Sequence, residues 1–256
     1  MKNSRLEELL QYISYCSSEE RFDRISEILS RNWIYYHHET DHEALNIIVG
    51  DPDRALVTVC AHYDIVPGSC GANDNGSSCA VMLDLCLRQA GDPSVCFVFL
   101  DREESGFYGS RLHFSKHHPM ITVNLDVIGG GEQIVFHNSA EDLCGGSPLN
   151  QMLEDIADSY GAVRTDRLPV CDTDTIINCG CEVVTFSAFP EKDAAYIRDT
   201  GCLACNEVIK YMHGGPKDDI EYISFDTMEQ VDDMLEEFII IVRAIASANP
   251  ALIQQF

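Results

Sequence analysis

Val95-Cys-Phe-Val-Phe-Leu100 runs directly into Asp101-Arg-Glu-Glu104. Six apolar residues without a polar interruption do not read as a half-exposed strand, which would alternate. They read as a strand covered on both faces, the pattern of a parallel sheet packed between helix layers. Two other stretches repeat the arrangement. Leu56-Val-Thr-Val-Cys60 leads into Ala61-His62-Tyr63-Asp64, and Ile121-Thr-Val-Asn-Leu125 leads into Asp126. Open α/β sheets gather their functional groups at the carboxyl ends of strands, and here each buried run ends in acid or imidazole.

Outward from these runs, amphipathic periodicity predicts helices over 4–16 and 18–31, the second opened by the capping sequence Ser17-Ser-Glu-Glu20. Strand-like runs follow at 33–36, 44–49 and 55–60. A helix is expected over 75–89, strands at 95–100, 121–125, 133–137 and 182–187, a helix over 148–160, and a closing helix at about 226–248. Strands alternating with helices give an α/β fold, a three-layer α/β/α arrangement with a mixed, mostly parallel sheet. There is no linker-like tract, repeat or low-complexity segment, so residues 1–256 are expected to form one catalytic domain with no lid or dimerisation insertion.

Seventeen Lys and Arg against 42 Asp and Glu give a net charge of −25. Such a chain is repelled by nucleic acid and by anionic membranes, and neither is expected as a partner. The longest apolar run, Phe238–Val242, is followed at once by Arg243 and falls far short of the ~20 residues of a spanning helix. The first residues lack a signal-peptide core, and the expectation is a cytoplasmic protein. Its 12 cysteines are then expected as free thiols. Cys60, Cys79, Cys86 and Cys96 lie in apolar stretches as small buried hydrophobes. Cys202-Leu-Ala-Cys205 and Cys179-Gly-Cys181 are too loosely spaced for a structural zinc ribbon.

Between the first two acid-tipped strands lies Gly71-Ala-Asn-Asp74-Asn-Gly76, and late in the chain His213 sits within Tyr211-Met-His-Gly-Gly-Pro-Lys-Asp-Asp-Ile-Glu-Tyr222. Taken alone, each element has a bland reading. His62-x-Asp64 is a hydrogen-bonded turn, Glu103-Glu104 a solvated pair, and a strand-end Asp a helix cap. Their joint placement at consecutive strand ends changes that. So many anions repel one another at a cost of several kcal/mol unless a cation is present, and mixed His and carboxylate donors suit Zn²⁺ or a similar ion. A carboxylate can also bridge two metals about 3.5–4 Å apart.

In this order the motifs resemble the di-zinc exopeptidases that include bacterial leucyl aminopeptidases, glutamate carboxypeptidase and glutaminyl cyclases (metallopeptidase family 28, clan MH). The resemblance rests on His62-Tyr-Asp64, Gly71–Ser77, Glu103-Glu-Ser-Gly-Phe-Tyr-Gly-Ser110, Asn124-Leu-Asp-Val-Ile-Gly129 and the segment from His213 to Ile223. It implies two zinc ions per chain, one held by His62 and Asp126, the other by Glu104 and His213, with Asp74 bridging. It further implies that Asp64 orients His62, that Glu103 is the general base, and that a cis peptide follows Asp74. Adjacent residues at a strand end point opposite ways, which agrees with Glu104 as a ligand and Glu103 as a base.

The chain departs from the family at Cys171-Asp-Thr-Asp174, where the family usually shows Ser-Asp-His. Asp172, Thr173 and Asp174 are therefore candidates for substrate contacts, and a helix cap for the residues from Thr175 is an equal reading. The activity implied is an aminopeptidase acting on short peptides. A metal-dependent glutaminyl-cyclase-like or amide-hydrolysing enzyme is the alternative, and a non-catalytic binding protein on the same fold is a third. His37, His38, His113, His117 and His118 read as solvated surface residues, and His137 has no assigned role. Side-chain preference and oligomeric state are not legible.

Overall fold

The computed structural model describes residues 2–139, 146–166, 168, 171–200 and 208–249. Eight strands form one sheet: β1 (His37–Thr40), β2 (Leu45–Val49), β3 (Val57–His62), β4 (Val95–Leu100), β5 (Ile121–Leu125), β6 (Gln133–Asn138), β7 (Val163–Arg164) and β8 (Val183–Phe189). Their order across the sheet is β1-β2-β4-β3-β5-β8-β6-β7. The centre β4-β3-β5-β8 is parallel, as are β6 and β7, whereas β1–β2, β2–β4 and β6–β8 pair antiparallel. The expected mixed, mostly parallel sheet is therefore present.

Side chains alternate between two buried faces. From β4, Val95, Phe97 and Phe99 enter one core, whereas Cys96, Val98 and Leu100 enter the other. The first core lies under α1 (Lys2–Ile13), α2 (Ser18–Arg31), α3 (Ser78–Gln89), α5 (Pro148–Ser159) and α8 (Phe225–Ala248). The opposite face is covered by α4 (Tyr108–Phe114), α6 (Asp172–Asn178) and α7 (Glu191–Thr200), which contribute Phe114, Ile176 and Ile197. Burial on both faces is the reason these strands carry no polar alternation. Among the described residues no helix is long and apolar enough to cross a membrane.

Element starts agree with local chemistry. Ser17 caps α2 through the Glu20 N–H, and the Glu20 carboxylate returns to the Ser17 N–H at 2.8 Å, satisfying two donors left over at a helix start. Two expectations fail. The 33–36 run is not a strand: α2 closes there, with Ile34 N–H donating to Leu29 O and Trp33 at φ 59°. Helix closure overrides the β preference of these aromatic residues, and the strand begins only at His37. The first helix ends at Ile13, earlier than its periodicity suggests, because the Tyr15 N–H bonds Cys70 O instead. Helix α7 carried no period strong enough to be predicted.

The cysteines at 16, 60, 70, 79, 86, 96, 171, 179 and 181 are free thiols, and those at 60, 79, 86 and 96 are buried. Cys202 and Cys205 lie outside the described residues.

Candidate metal centre

β3 is flanked by β4 and β5, so the chain leaves β3 for one neighbour and returns to the other side. That crossing opens a crevice at the carboxyl end of β3, where ligands bind in open α/β sheets. His62 is the last residue of β3, paired in register with Leu100. The Glu103-Glu104 turn follows β4 and Asp126 follows β5, so three strand ends deliver four functional side chains to one place.

Asp74 enters from the kinked stretch Ala72–Ser77, where it and Asn75 have non-helical torsions and are joined by a cis peptide bond. The flanking asparagines hold it. Asn75 donates to Leu125 O and accepts from the Val127 N–H, at 2.9 and 3.1 Å. Asn73 donates to Tyr211 O and accepts from the Gly129 N–H, at 2.8 and 2.9 Å. Asp74 is thereby tied to the turn carrying Asp126 on one side and to the segment carrying His213 on the other.

The two oxygens of Asp74 face different groups. Its Oδ1 lies 3.3 Å from His62 Nε2, which is itself 3.6 Å from Asp126 Oδ1. Its Oδ2 lies 3.7 Å from His213 Nδ1, which is 3.2 Å from Glu104 Oε2. The His213 N–H also donates to Asp74 Oδ2 at 2.7 Å. One carboxylate thus stands between two imidazole–carboxylate pairs. Asp64 sits behind, its Oδ1 at 3.3 Å from His62 Nδ1. Its two oxygens also accept the N–H groups of Glu103 and Glu104, at 3.0 and 3.1 Å, which sets the backbone of the acid turn.

The electrostatics are those of crowded anions. Burial pushes the Glu103 carboxyl up to about 10, opposed by His62 and reinforced by Asp126, Asp172 and Glu104. Glu104 is raised by burial and by Asp74, against its bond to His213. Burial would lower His62, yet Glu103, Asp126, Asp64 and Asp74 hold it well above the ordinary imidazole value. His213 rises to about 9 through its bond to Glu104. The donor set fits divalent metal. His62, Asp74 and Glu104 each present a ligand atom within 4.8 Å of the others, and Glu104 Oε1 is buried without a partner. Nitrogen and carboxylate donors in this mixture match zinc-like ions, and a dication reverses the repulsion that raises the acids.

The 171–174 residues divide. Asp172 is buried, with Oδ1 unpartnered, and it is pushed up to about 7 by burial and by Asp64 and Asp126, against His62 and a bond to Ser110. Thr173 is bonded to Thr185 and to the Cys171 thiol. Asp174 is exposed on α6. Sequence reading missed Asp218, whose Oδ1 accepts the N–H groups of Asn73 and Asp74 at 2.8 and 3.1 Å. Its only signal was membership of the motif after His213. The reading of His113 as solvated is corrected: its side chain is fully buried and bonded to Glu39 at 3.0 Å. It sits on the inward side of a short helix whose period was too brief to show which face is covered.

The sequence model of peptidase family M28 matches residues 46–239, a stretch containing every residue of this centre. Aminopeptidase YwaD of Bacillus subtilis is 30% identical over 190 residues, covering 70% of this chain and 39% of that protein. The chain therefore spans about two-fifths of that relative's length. Legionella pneumophila LapA aminopeptidase superposes with a TM-score of 0.69 at 13% identity, over 94% of this chain and 71% of that one. Porphyromonas gingivalis glutaminyl cyclase superposes with a TM-score of 0.69 at 14% identity, over 93% of this chain and 96% of that one. These two likenesses speak for the fold, and the family match covers most of the chain together with its acid-tipped strands. The chain belongs to peptidase family M28.

Proposed function

We propose that the chain is a di-zinc aminopeptidase that removes N-terminal residues from short peptides. The observation that carries this reading is the division of Asp74, one oxygen toward His62 and Asp126, the other toward Glu104 and His213. In this reading His62 and Asp126 would hold one ion, Glu104 and His213 would hold the other, and Asp74 would serve both. When bound, zinc lowers the pKa of a water from 15.7 towards about 7 and polarises a carbonyl oxygen.

The chain's own residues do the rest. Glu103, buried beside the ligands but bonded to Asp64 only through its backbone, takes the proton of the attacking water. It returns that proton to the leaving amine as the carbon–oxygen bond forms and the carbon–nitrogen bond breaks. A positioned carboxylate of this kind contributes about 10²–10⁴-fold. Asp64 keeps the imidazole of His62 and the Glu103 backbone in register. Buried Asp172 supplies negative charge at the edge of the centre, suited to a substrate's ammonium group. The zinc aminopeptidase from Bacillus subtilis, similar in fold with a TM-score of 0.55, supports zinc as the metal. A cytoplasmic location is part of the proposal.

Glu103→Gln is the direct test. It is expected to retain bound zinc, measured by elemental analysis, while hydrolysis of aminoacyl reporter substrates falls at least 100-fold. Undiminished turnover in this variant overturns the role of Glu103. His62→Ala or Asp74→Asn is expected to lose zinc instead, and full occupancy in either refutes the ligand assignment.

A second reading, cyclisation of N-terminal glutamine, is favoured by the near-complete mutual coverage with the Porphyromonas gingivalis enzyme. A peptide beginning with glutamine separates the two. Hydrolysis releases free glutamine, whereas cyclisation releases ammonia and leaves a blocked peptide.

A further inference from the structure

Away from the metal centre, at the β1 edge of the sheet, a second group of metal-type donors converges. Glu39 on β1 receives three nitrogen-bearing side chains from the end of α4 and the turn after it. His113 Nδ1 lies 3.0 Å from Glu39 Oε2, and His117 Nε2 and Lys116 Nζ lie 3.4 and 3.2 Å from Oε1. His113 and His117 are one helical turn apart, with the His117 N–H bonded to His113 O and their rings 4.8 Å apart. That spacing puts both imidazoles on one side. Their ligand atoms and one oxygen of Glu39 all lie within 4.8 Å of one another.

We propose that Glu39, His113 and His117 form a second metal site, for Zn²⁺ or a similar borderline divalent ion. Donors about 2.1 Å from a tetrahedral ion are about 3.4 Å apart; His117 Nε2 stands 3.4 Å from Glu39 Oε1, and His113 Nδ1 stands 3.0 Å from the other oxygen, Oε2. Two of the donors are also oriented from behind. His117 turns Nδ1 to Asp53 Oδ1 at 2.6 Å, leaving Nε2 toward Glu39. This carboxylate–imidazole arrangement fixes the tautomer and raises the basicity of a ligating histidine. Asn46 donates to Glu39 Oε2 at 3.2 Å and is itself anchored on Gly109 O and the Asp101 N–H. The Glu39 side chain is 9% exposed and that of His113 is fully buried, so the donors have little freedom to lose on binding.

The site has a way in. Glu39 and His117 line a cavity of about 600 Å³, together with His37, Asp51, Asp53 and Tyr35. Two nitrogen donors and one carboxylate select zinc-like ions over magnesium or calcium, which prefer all-oxygen sets. Lys116 is the competing cation, but its side chain is half exposed and can leave for solvent. An ion here ties the edge strand to α4, the helix that follows the Glu103-Glu104 turn, so its role is structural.

Zinc binding to the 256-residue chain tests the assignment. His62→Ala/Asp74→Asn, which disables the first centre, is expected to keep one tightly bound equivalent of zinc after dialysis. Adding His117→Gln to that background is expected to weaken this equivalent at least tenfold, and Lys116→Gln to tighten it by about two- to fivefold, the range of an exposed ion pair. His117 is partly exposed, so its variant is expected to fold, and circular dichroism monitors this. His117→Gln alone is expected to leave peptidase turnover unchanged with one fewer zinc per chain. Equal zinc content with and without His117→Gln, or no response to Lys116→Gln, overturns the proposal.

Discussion

Asp218 lies outside the candidate donor set but holds the backbone at the middle of it. Its carboxylate accepts the N–H groups of Asn73 and Asp74, so it holds the backbone that aims Asp74 at both imidazole pairs. It is also raised above the ordinary carboxylate range, first by burial and then by Asp74, against bonds from Ser69 and the backbone. Asp218→Ala removes the oxygen that accepts both N–H groups and leaves the Asn73–Asp74 backbone without this support. Zinc affinity is expected to fall about 10–100-fold, the usual loss when a group supporting a ligand is removed. Competition with a chelator measures it, and an unchanged affinity refutes the supporting role.

Two contacts between elements carry stability, one beside the centre and one at the opposite end of β4. Arg21 of α2 is fully buried and donates to the carbonyls of Ile13, Tyr63 and Gly71 at 2.9, 3.4 and 2.6 Å. It pins the end of α1 and the loop from β3 to Asp74 against α2. At Gly71, φ is +61° and an added Cβ would sit 2.6 Å from the Arg21 guanidinium, so this approach requires glycine. Arg21→Met removes three hydrogen bonds from a buried guanidinium, although Gly71 O keeps the Gly76 N–H and Ile13 O keeps the Cys16 thiol; it is expected to cost about 3 kcal/mol, read from the urea midpoint.

On the far side, Asp92 bonds Ser94 and pairs with Arg243 of α8. Burial raises its pKa, but the Ser94 and Arg243 contacts win and hold it below the ordinary value. A depressed carboxyl contributes stability above its unfolded pKa and loses it as pH falls through the folded value. Asp92→Asn is therefore expected to be about 1–2 kcal/mol less stable at pH 7. The difference should shrink as pH drops below about 4, as followed by thermal melts across pH.

Across the whole molecule, charge acts on every element at once. A net charge of −25 makes the compact state repel itself, and the crowded acids of the metal centre add to that field. Salt screens exposed charges over about 10 Å at 0.1 M. Raising NaCl from low concentration to 0.2 M is expected to increase the melting temperature by about 2–4 °C, the shift for roughly 1 kcal/mol in a chain of this size. Zinc is expected to raise it further because it binds only the folded state. A melting temperature that is flat or falling with salt would show that self-repulsion is not limiting.

The parts legible from sequence are those set by periodicity and local capping. Val95–Leu100 announced a doubly covered strand because neither face of it reaches water, and Ser17 with Glu20 announced a helix start because both bonds span three residues. The strand-end acids and His62 could be gathered because a parallel sheet brings consecutive carboxyl ends together. Three-dimensional packing decided the rest. Which way the oxygens of Asp74 point depends on Asn73, Asn75 and Asp218, whose partners lie far along the chain. His113 and Glu39 are 74 positions apart, and no local pattern states that an edge strand and a short helix will bury them against each other. Local sequence encodes what each segment prefers, whereas the direction of a buried polar side chain is set by whichever distant group satisfies its hydrogen bonds.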